Sequence, residues 1–378
     1  MLNTFWFVYF ILTILFAHFG KYQVAKNRIV VFCSRICLIT TFSIVLALFG
    51  IVGTDHRAYT EFYYHINNFN LHFNSVGEFL LEKGEGIISP TENGYILLMK
   101  LTLILNLNHV GFFFVGAFIT NFFVVNTFYK FRYPVLSFMT YIVSTYFFQE
   151  MNLVRQMMAV CIFVGAIDCI EKHKWKRYLI FLLFAFSIHQ SSIIGIIFLP
   201  FCFVQDIANI WKYIKWTIAP FYILSLLIAV NVITFDLSLF SLILSAYDYQ
   251  DYALKDSISG EVPSIDILYN CIIILILLFY KGEKGKYMYV ISYIIGGVIF
   301  NFSPQAPYLM RLSLYFSFIS IPLVTHLLGG GDLIKSKWIS HSVLSVFYLY
   351  YSLVMIKASL LGLKSYGEKM DVFQFFLS

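Results

Sequence analysis

Charge is scarce in this chain. Of its 378 residues only 12% are Asp, Glu, Lys or Arg, against roughly 25% in a soluble domain. With 60% hydrophobic residues and a mean hydropathy of +0.79, that shortage excludes a soluble globular protein. Chemical signatures are missing as well. There is no Gly-rich phosphate loop, HExxH, CxxC or GxSxG, so neither a nucleotide nor a zinc site is implied. The six cysteines all fall in apolar runs without metal-ligand spacing and read as small core hydrophobes. No cofactor or metal is implied. The first apolar run, Asn3 to Phe19, lacks a basic leader and a small-residue cleavage pattern, and reads as an uncleaved span. The net charge of +6 is gathered in short loops and gives no reason to expect nucleic acid.

What is present is a series of apolar runs long enough to cross a bilayer. They predict about 12 transmembrane helices, at 3–19, 30–52, 110–128, 134–148, 153–170, 177–189, 190–204, 217–233, 265–280, 287–301, 308–328 and 339–357. A further run, 95–107, is too short to span and predicts a re-entrant or broken helix. The expected fold is an all-α polytopic integral membrane protein. It forms a single transmembrane domain over 1–378, with polar outer-face loops at 53–94 and 234–264.

Lys and Arg in short loops set the orientation. Lys21, Lys26 and Arg28, the "YKFRY" at 129–133, the "EKHKWKR" at 171–177, and Lys281, Lys284 and Lys286 all fall on one side, which reads as cytoplasmic. The parity works only if 95–128 crosses once in total. Lys357, Lys364 and Lys369 in the C-terminal tail land on the opposite side and fit less well. With that sidedness, six polar clusters share the outer face: "GTDHRAY" (53–59), "PTENGY" (90–95), "QEMNLVRQ" (149–156), "SIHQSS" (187–192), "YDYQDY" (247–252) and "SPQAPYLMR" (303–311).

Arg155 stands in the first turn of an apolar helix. A charge at membrane depth costs roughly 2.5–3.5 kcal/mol on insertion scales, less near a helix mouth where it snorkels. Snorkelling is the plain explanation. The functional one is an anion site, because a helix N-terminus and a guanidinium fork both suit phosphate. Arg311 repeats the arrangement. Arg57, two residues from Asp55, is equally well explained by a local ion pair. Asp55, Glu92 and His189 are the candidate acids or bases. Glu92 could simply favour a helix start, and His189 could be a hydrogen-bonded structural residue. Asn152, Gln156, Gln190 and Ser191 are candidate substrate-binding groups, although Gln190 and Ser191 could equally cap the next helix.

In order along the chain, "GTDHRAY", "PTENGY", "NLVRQMMAV" and "AFSIHQSSII" resemble the EpsG/Wzy-type family of bacterial polysaccharide polymerases over roughly residues 1–330. The resemblance rests most on Asn152-x-x-Arg155-Gln156 and His189-x-Ser191. It implies a multi-pass enzyme of the bacterial cytoplasmic (inner) membrane. Its donor and acceptor would be undecaprenyl diphosphate-linked oligosaccharides, joined on the outer face for O-antigen, capsule or exopolysaccharide. A chain-length regulator and a flippase would be membrane partners. Asp55, Arg57, Glu92, Asn152, Arg155, Gln156 and His189 are the positions that carry over.

The expected reaction is glycosyl transfer, in which an acceptor hydroxyl displaces a polyprenyl diphosphate from an anomeric carbon. Arg155, Arg311 and Arg57 would bind the departing diphosphate. Asp55, Glu92 and His189 compete as the base. Three rivals stay open: a flippase for the same lipid-linked substrate, a glycosyltransferase or ligase that adds one unit, and a non-catalytic membrane subunit.

Overall fold

The computed structural model describes residues 11–18, 28–49, 54–66, 92–143, 146–147, 150, 153–230, 232–233, 267–303 and 308–330, with 338–339, 341–346 and 349 near the C-terminus. Among them every regular element is helical. The helices are α1 (Arg28–Phe49), α2 (Thr54–His65), α3 (Asn93–Ile104), α4 (His109–Phe128), α5 (Pro134–Val143), α6 (Val154–Glu171) and α7 (Trp175–Ile188). A 3-10 segment, Gln190–Phe203, follows directly. Then come α8 (Ile207–Ala229), α9 (Ile267–Phe279), α10 (Tyr287–Asn301), α11 (Tyr308–Ser317) and α12 (Ser320–Gly330).

Among the described residues two stretches, Arg28–Leu48 and His109–Phe128, are individually long and apolar enough to cross a bilayer. Residues 309–317 and 320–329 make a third if their 47° bend lies within one span. The expected count of twelve spans is not confirmed: among the described residues several runs form helices shorter than a hydrocarbon core or end early. The run expected at 134–148 is helical as Pro134–Val143, and the one at 308–328 is broken between α11 and α12. The expected loop 234–264, residues 67–91 of the other loop, and most of 339–357 lie outside the described residues. The loop expected from 53 opens instead with a helix, α2.

The bundle is organised around α6. Its apolar residues are nearly all buried, from Met157 to Ile170. It packs against α4, α7, the 3-10 segment, α10 and α11. A helix buried on all sides needs apolar residues all round, and "MMAVCIFVGAI" supplies them. Aromatic rings fill the space between α1, α4 and α5, where Phe42 touches Phe138 and Tyr141 at centroid distances of 5.9 and 5.7 Å.

The short run near 95 forms α3, only 12 residues long. At 1.5 Å per residue that is about 18 Å, short of the ~30 Å hydrocarbon thickness. The chain then turns at Asn106, whose φ of 55° is left-handed, and enters α4, capped by the Asn108 side chain accepting from Gly111 N–H at 2.9 Å. Both ends of this excursion lie against α2. Tyr95, in the first turn of α3, meets the Tyr59 ring at 5.3 Å, and the Tyr63 hydroxyl donates to the Leu107 carbonyl at 2.7 Å.

Far along α6 from Arg155, a bonded clamp joins four segments. Thirteen residues of helix separate Arg155 from Asp168, about 20 Å of rise. Lys172 Nζ and Lys130 Nζ stand 2.6 and 3.6 Å from Asp168. Lys286 Nζ donates to the Lys130 carbonyl at 2.7 Å, and Met288 N–H to Glu171 at 2.7 Å. His326 Nδ1 accepts from Arg132 N–H at 3.1 Å, so its proton sits on Nε2 and is donated to Glu283 at 2.7 Å. The Tyr133 hydroxyl bonds the Gly329 carbonyl at 2.8 Å.

Candidate functional site

The chain brings three distant segments onto one carboxylate. Glu92 precedes α3, Arg155 opens α6, and His189 terminates α7. Glu92 Oε2 pairs with Arg155 Nη1. Glu92 Oε1 accepts from His189 Nδ1 at 2.8 Å and from the Gln190 backbone N–H at 3.1 Å. Arg155 Nε donates to the Tyr59 hydroxyl at 2.5 Å, and its guanidinium carbon lies 5.3 and 5.9 Å from the Tyr59 and Tyr95 ring centres. The group is nearly dry: the Glu92 side chain is 5% exposed, Arg155 13% and His189 16%.

Local sequence explains how these groups meet. Gly94 lies where any Cβ would collide with Ser187. Its missing side chain lets the first turn of α3 touch the last turn of α7, which carries Glu92 to His189. His189 is extended, with φ −154° and ψ 118°, where the α-helix hands over to the 3-10 segment. At that break the Gln190 N–H is left for a side-chain acceptor, and Glu92 supplies it.

The electrostatics follow. Burial by itself would raise the Glu92 pKa. The hydrogen bond from His189 and the charge of Arg155 outweigh burial and hold the carboxyl below its ordinary range. An ionised carboxylate only accepts, so His189 Nδ1 carries a proton; in the neutral imidazole of that tautomer the lone pair lies on Nε2. For Nε2 no partner is found among the described residues. Glu92 already receives three donors, so its role in the observed arrangement is to orient and neutralise. Arg155 uses Nη1 and Nε on Glu92 and Tyr59. Its other terminal nitrogen has no partner among the described residues.

The remaining candidates distribute as follows. Gln156 is buried and its Nε2 donates to the Arg311 carbonyl at 2.8 Å, tying α6 to α11. It is thus the Arg311 backbone that meets the cluster through a described bond. The Ser191 hydroxyl bonds that of Tyr315 at 2.9 Å, again joining α11. Gln190 contributes its backbone N–H, not a side-chain contact. Asp55 and Arg57 stand in α2 ahead of Tyr59, and Asn152 lies outside the described residues. Glu150, from the same polar run, is buried apart from the cluster. Its Oε1 accepts from the Tyr141 hydroxyl and its Oε2 meets no partner among the described residues. Sequence reading passed over Tyr59, one of many tyrosines. Its place at the end of "GTDHRAY", one helical turn after Asp55, was the signal.

No curated protein and no solved structure matches the chain. Residues 32–367, most of its length, match the family model described as the EpsG family, and the chain belongs to the EpsG family.

Proposed function

We propose that this protein joins lipid diphosphate-linked oligosaccharide repeat units, with His189 as general base and Arg155 on the departing diphosphate. Its family is one of polysaccharide polymerase-like membrane proteins. The observation that carries the reading is the dry cluster of Glu92, Arg155 and His189, drawn from three separate segments to the end of the bundle that the basic loops assign to the outer face.

In the proposed step an acceptor sugar hydroxyl attacks the anomeric carbon of the growing chain. The new C–O bond forms as the bond to the diphosphate oxygen breaks. The hydroxyl proton passes to His189 Nε2, and the electron pair leaves with the diphosphate. Glu92 holds the imidazole by Nδ1 and stabilises the imidazolium that forms. Arg155 offers its remaining terminal nitrogen to the charge developing on the leaving group. Arg311 and Arg57 are proposed as further contacts for the same diphosphate. The donor is already activated, so this chemistry asks for no nucleotide.

A flippase for the same substrate would have to open at both ends. The clamp of Asp168, Lys130, Lys286, Glu283 and His326 ties the far end together, which favours access from one side. The test is a glycan ladder in a polymerase-null strain complemented with His189→Asn. Asn presents an N–H in place of Nδ1–H and has no basic nitrogen. The expected result is single repeat units on the cell surface and no ladder. A full ladder would overturn the reading.

A further inference from the structure

Arg35 is a permanent charge set inside an apolar helix, α1, far from the cluster described above. Seven residues separate it from Arg28 at the start of α1, about 10 Å of helix rise. Two observations make it unusual. Its guanidinium carbon lies 4.5 Å over the Tyr129 ring centre, and its Nε is buried without a hydrogen-bond partner among the described residues. No carboxylate pairs with it among the described residues. Yet the ring beneath it is held firmly: the Tyr129 hydroxyl donates to the Ala17 and Phe16 carbonyls, at 3.0 and 3.4 Å, from the segment ahead of α1.

The geometry matters chemically. A ring beside a guanidinium meets its charge but takes no conventional hydrogen bond from its N–H donors. The donors therefore remain available, and burial makes a donor without an acceptor costly. Arg35 also stands on a border. Leu38, Ile39 and Phe42 are buried on one side of it, while Ile29 and Phe32 are 72% and 65% exposed on the other. The exposed Ile29 and Phe32 side chains, on the same stretch of α1, give a ligand an apolar surface to lie against. Tyr129 is followed by Lys130 and Arg132, so this end of α1 and α4 is the basic one, assigned to the cytoplasmic leaflet.

We propose that Arg35 and Tyr129 form a binding site for the phosphate of an anionic glycerophospholipid from the cytoplasmic leaflet. A phosphodiester supplies the in-plane oxygen pair that the fork requires and the negative charge that no described residue provides. Acyl chains suit the exposed apolar face of Ile29 and Phe32. A basic, lipid-accessible niche beside transmembrane helices is the setting in which such headgroups are held. The inference is independent of the glycan chemistry at the opposite end.

The purified full chain in phosphatidylcholine nanodiscs doped with phosphatidylglycerol would test this, with retained lipid counted by native mass spectrometry. The wild-type protein is expected to keep one phosphatidylglycerol after phosphatidylcholine is stripped. Arg35→Ala should weaken that retention about tenfold, the effect of losing one charge-assisted pair. Arg35→Lys, which keeps the charge and loses the fork, should fall between. A wild-type protein that keeps no phosphatidylglycerol would overturn the site whatever the variants do, and so would an Arg35→Ala protein that keeps as much. Inorganic phosphate that displaces the lipid at equal concentration would mark a free-anion site and overturn the lipid assignment.

Discussion

His189 Nδ1 lies 2.8 Å from Glu92 Oε1, across 97 residues of chain. That one contact orders the candidate acids and bases. Glu92 already holds three donors and its charge is paired with Arg155, whereas His189 Nε2 has no partner among the described residues, so the imidazole is the group better placed to accept a proton. The same contact gives His189 a structural role, and the two roles separate on substitution. His189→Asn should fold like the wild type, with a melting temperature within a few degrees, and lose transfer by roughly 10²–10⁴-fold, the usual contribution of a general base. Transfer from purified protein to a synthetic lipid-linked repeat measures it. Retained rate in the Asn variant would remove His189 from the chemistry.

Glu92 and Arg155 form a buried pair, and removing one partner leaves the other charged and dry. Glu92→Ala or Arg155→Ala should each destabilise the protein by about 3–5 kcal/mol. The double variant should be less damaged than the sum of the singles, because no lone charge remains. Thermal unfolding in detergent of all four proteins checks this. Strictly additive losses would show that the two side chains do not depend on each other.

Tyr59→Phe keeps the ring beside Arg155 and deletes only the hydroxyl that accepts from Nε. The loss of one charge-assisted bond is worth about 1.5–3 kcal/mol, so transfer should fall roughly 10- to 100-fold, with polymer shortened and expression unchanged. A Phe variant with the wild-type ladder would show that the hydroxyl does not position Arg155.

Gly94→Ala inserts a methyl group against Ser187 and pushes α3 away from α7. Displacements of about 1 Å at a catalytic constellation can cost about 10²-fold in rate. The expected result is a folded, membrane-inserted protein with transfer lowered by that order. Gly94→Ala activity equal to the wild type would mean that the close approach is not what holds Glu92 to His189.

Acid should dissolve the cluster. Glu92 has a lowered pKa in the folded protein, so its contribution to stability is fully present above its ordinary value of 4.5 and is lost as pH falls through the lower folded value. Wild-type melting should therefore show an acid-side decline below pH 4.5 that Glu92→Gln lacks. Melting curves taken across the acid range for both proteins decide it. Identical declines would place the titrating group elsewhere.

Much of this was legible along the chain. The apolar runs announce a helical membrane protein because burying backbone in lipid leaves helices as the ready solution. The clusters "PTENGY", "NLVRQ" and "SIHQSS" stand out because polar groups are expensive in such surroundings. Arg35 was lost inside the run 30–52, since a single charge barely lowers the hydropathy of a long apolar window. Tyr59 and Gly94 were lost because tyrosine and glycine carry no signal until a neighbour is known.

Residue chemistry and periodicity, which are local, determined by themselves that the protein is helical, oily and polar at a few helix mouths, and which side chains could carry charge. Only the tertiary structure decided who faces whom. Whether Glu92 is a base or a brace depends on His189, Arg155 and the Gln190 N–H, which reach it from 63 to 98 residues away. Hydrogen bonds and ion pairs are short-range, so their partners are set by how helices pack, and packing is not written in any one segment.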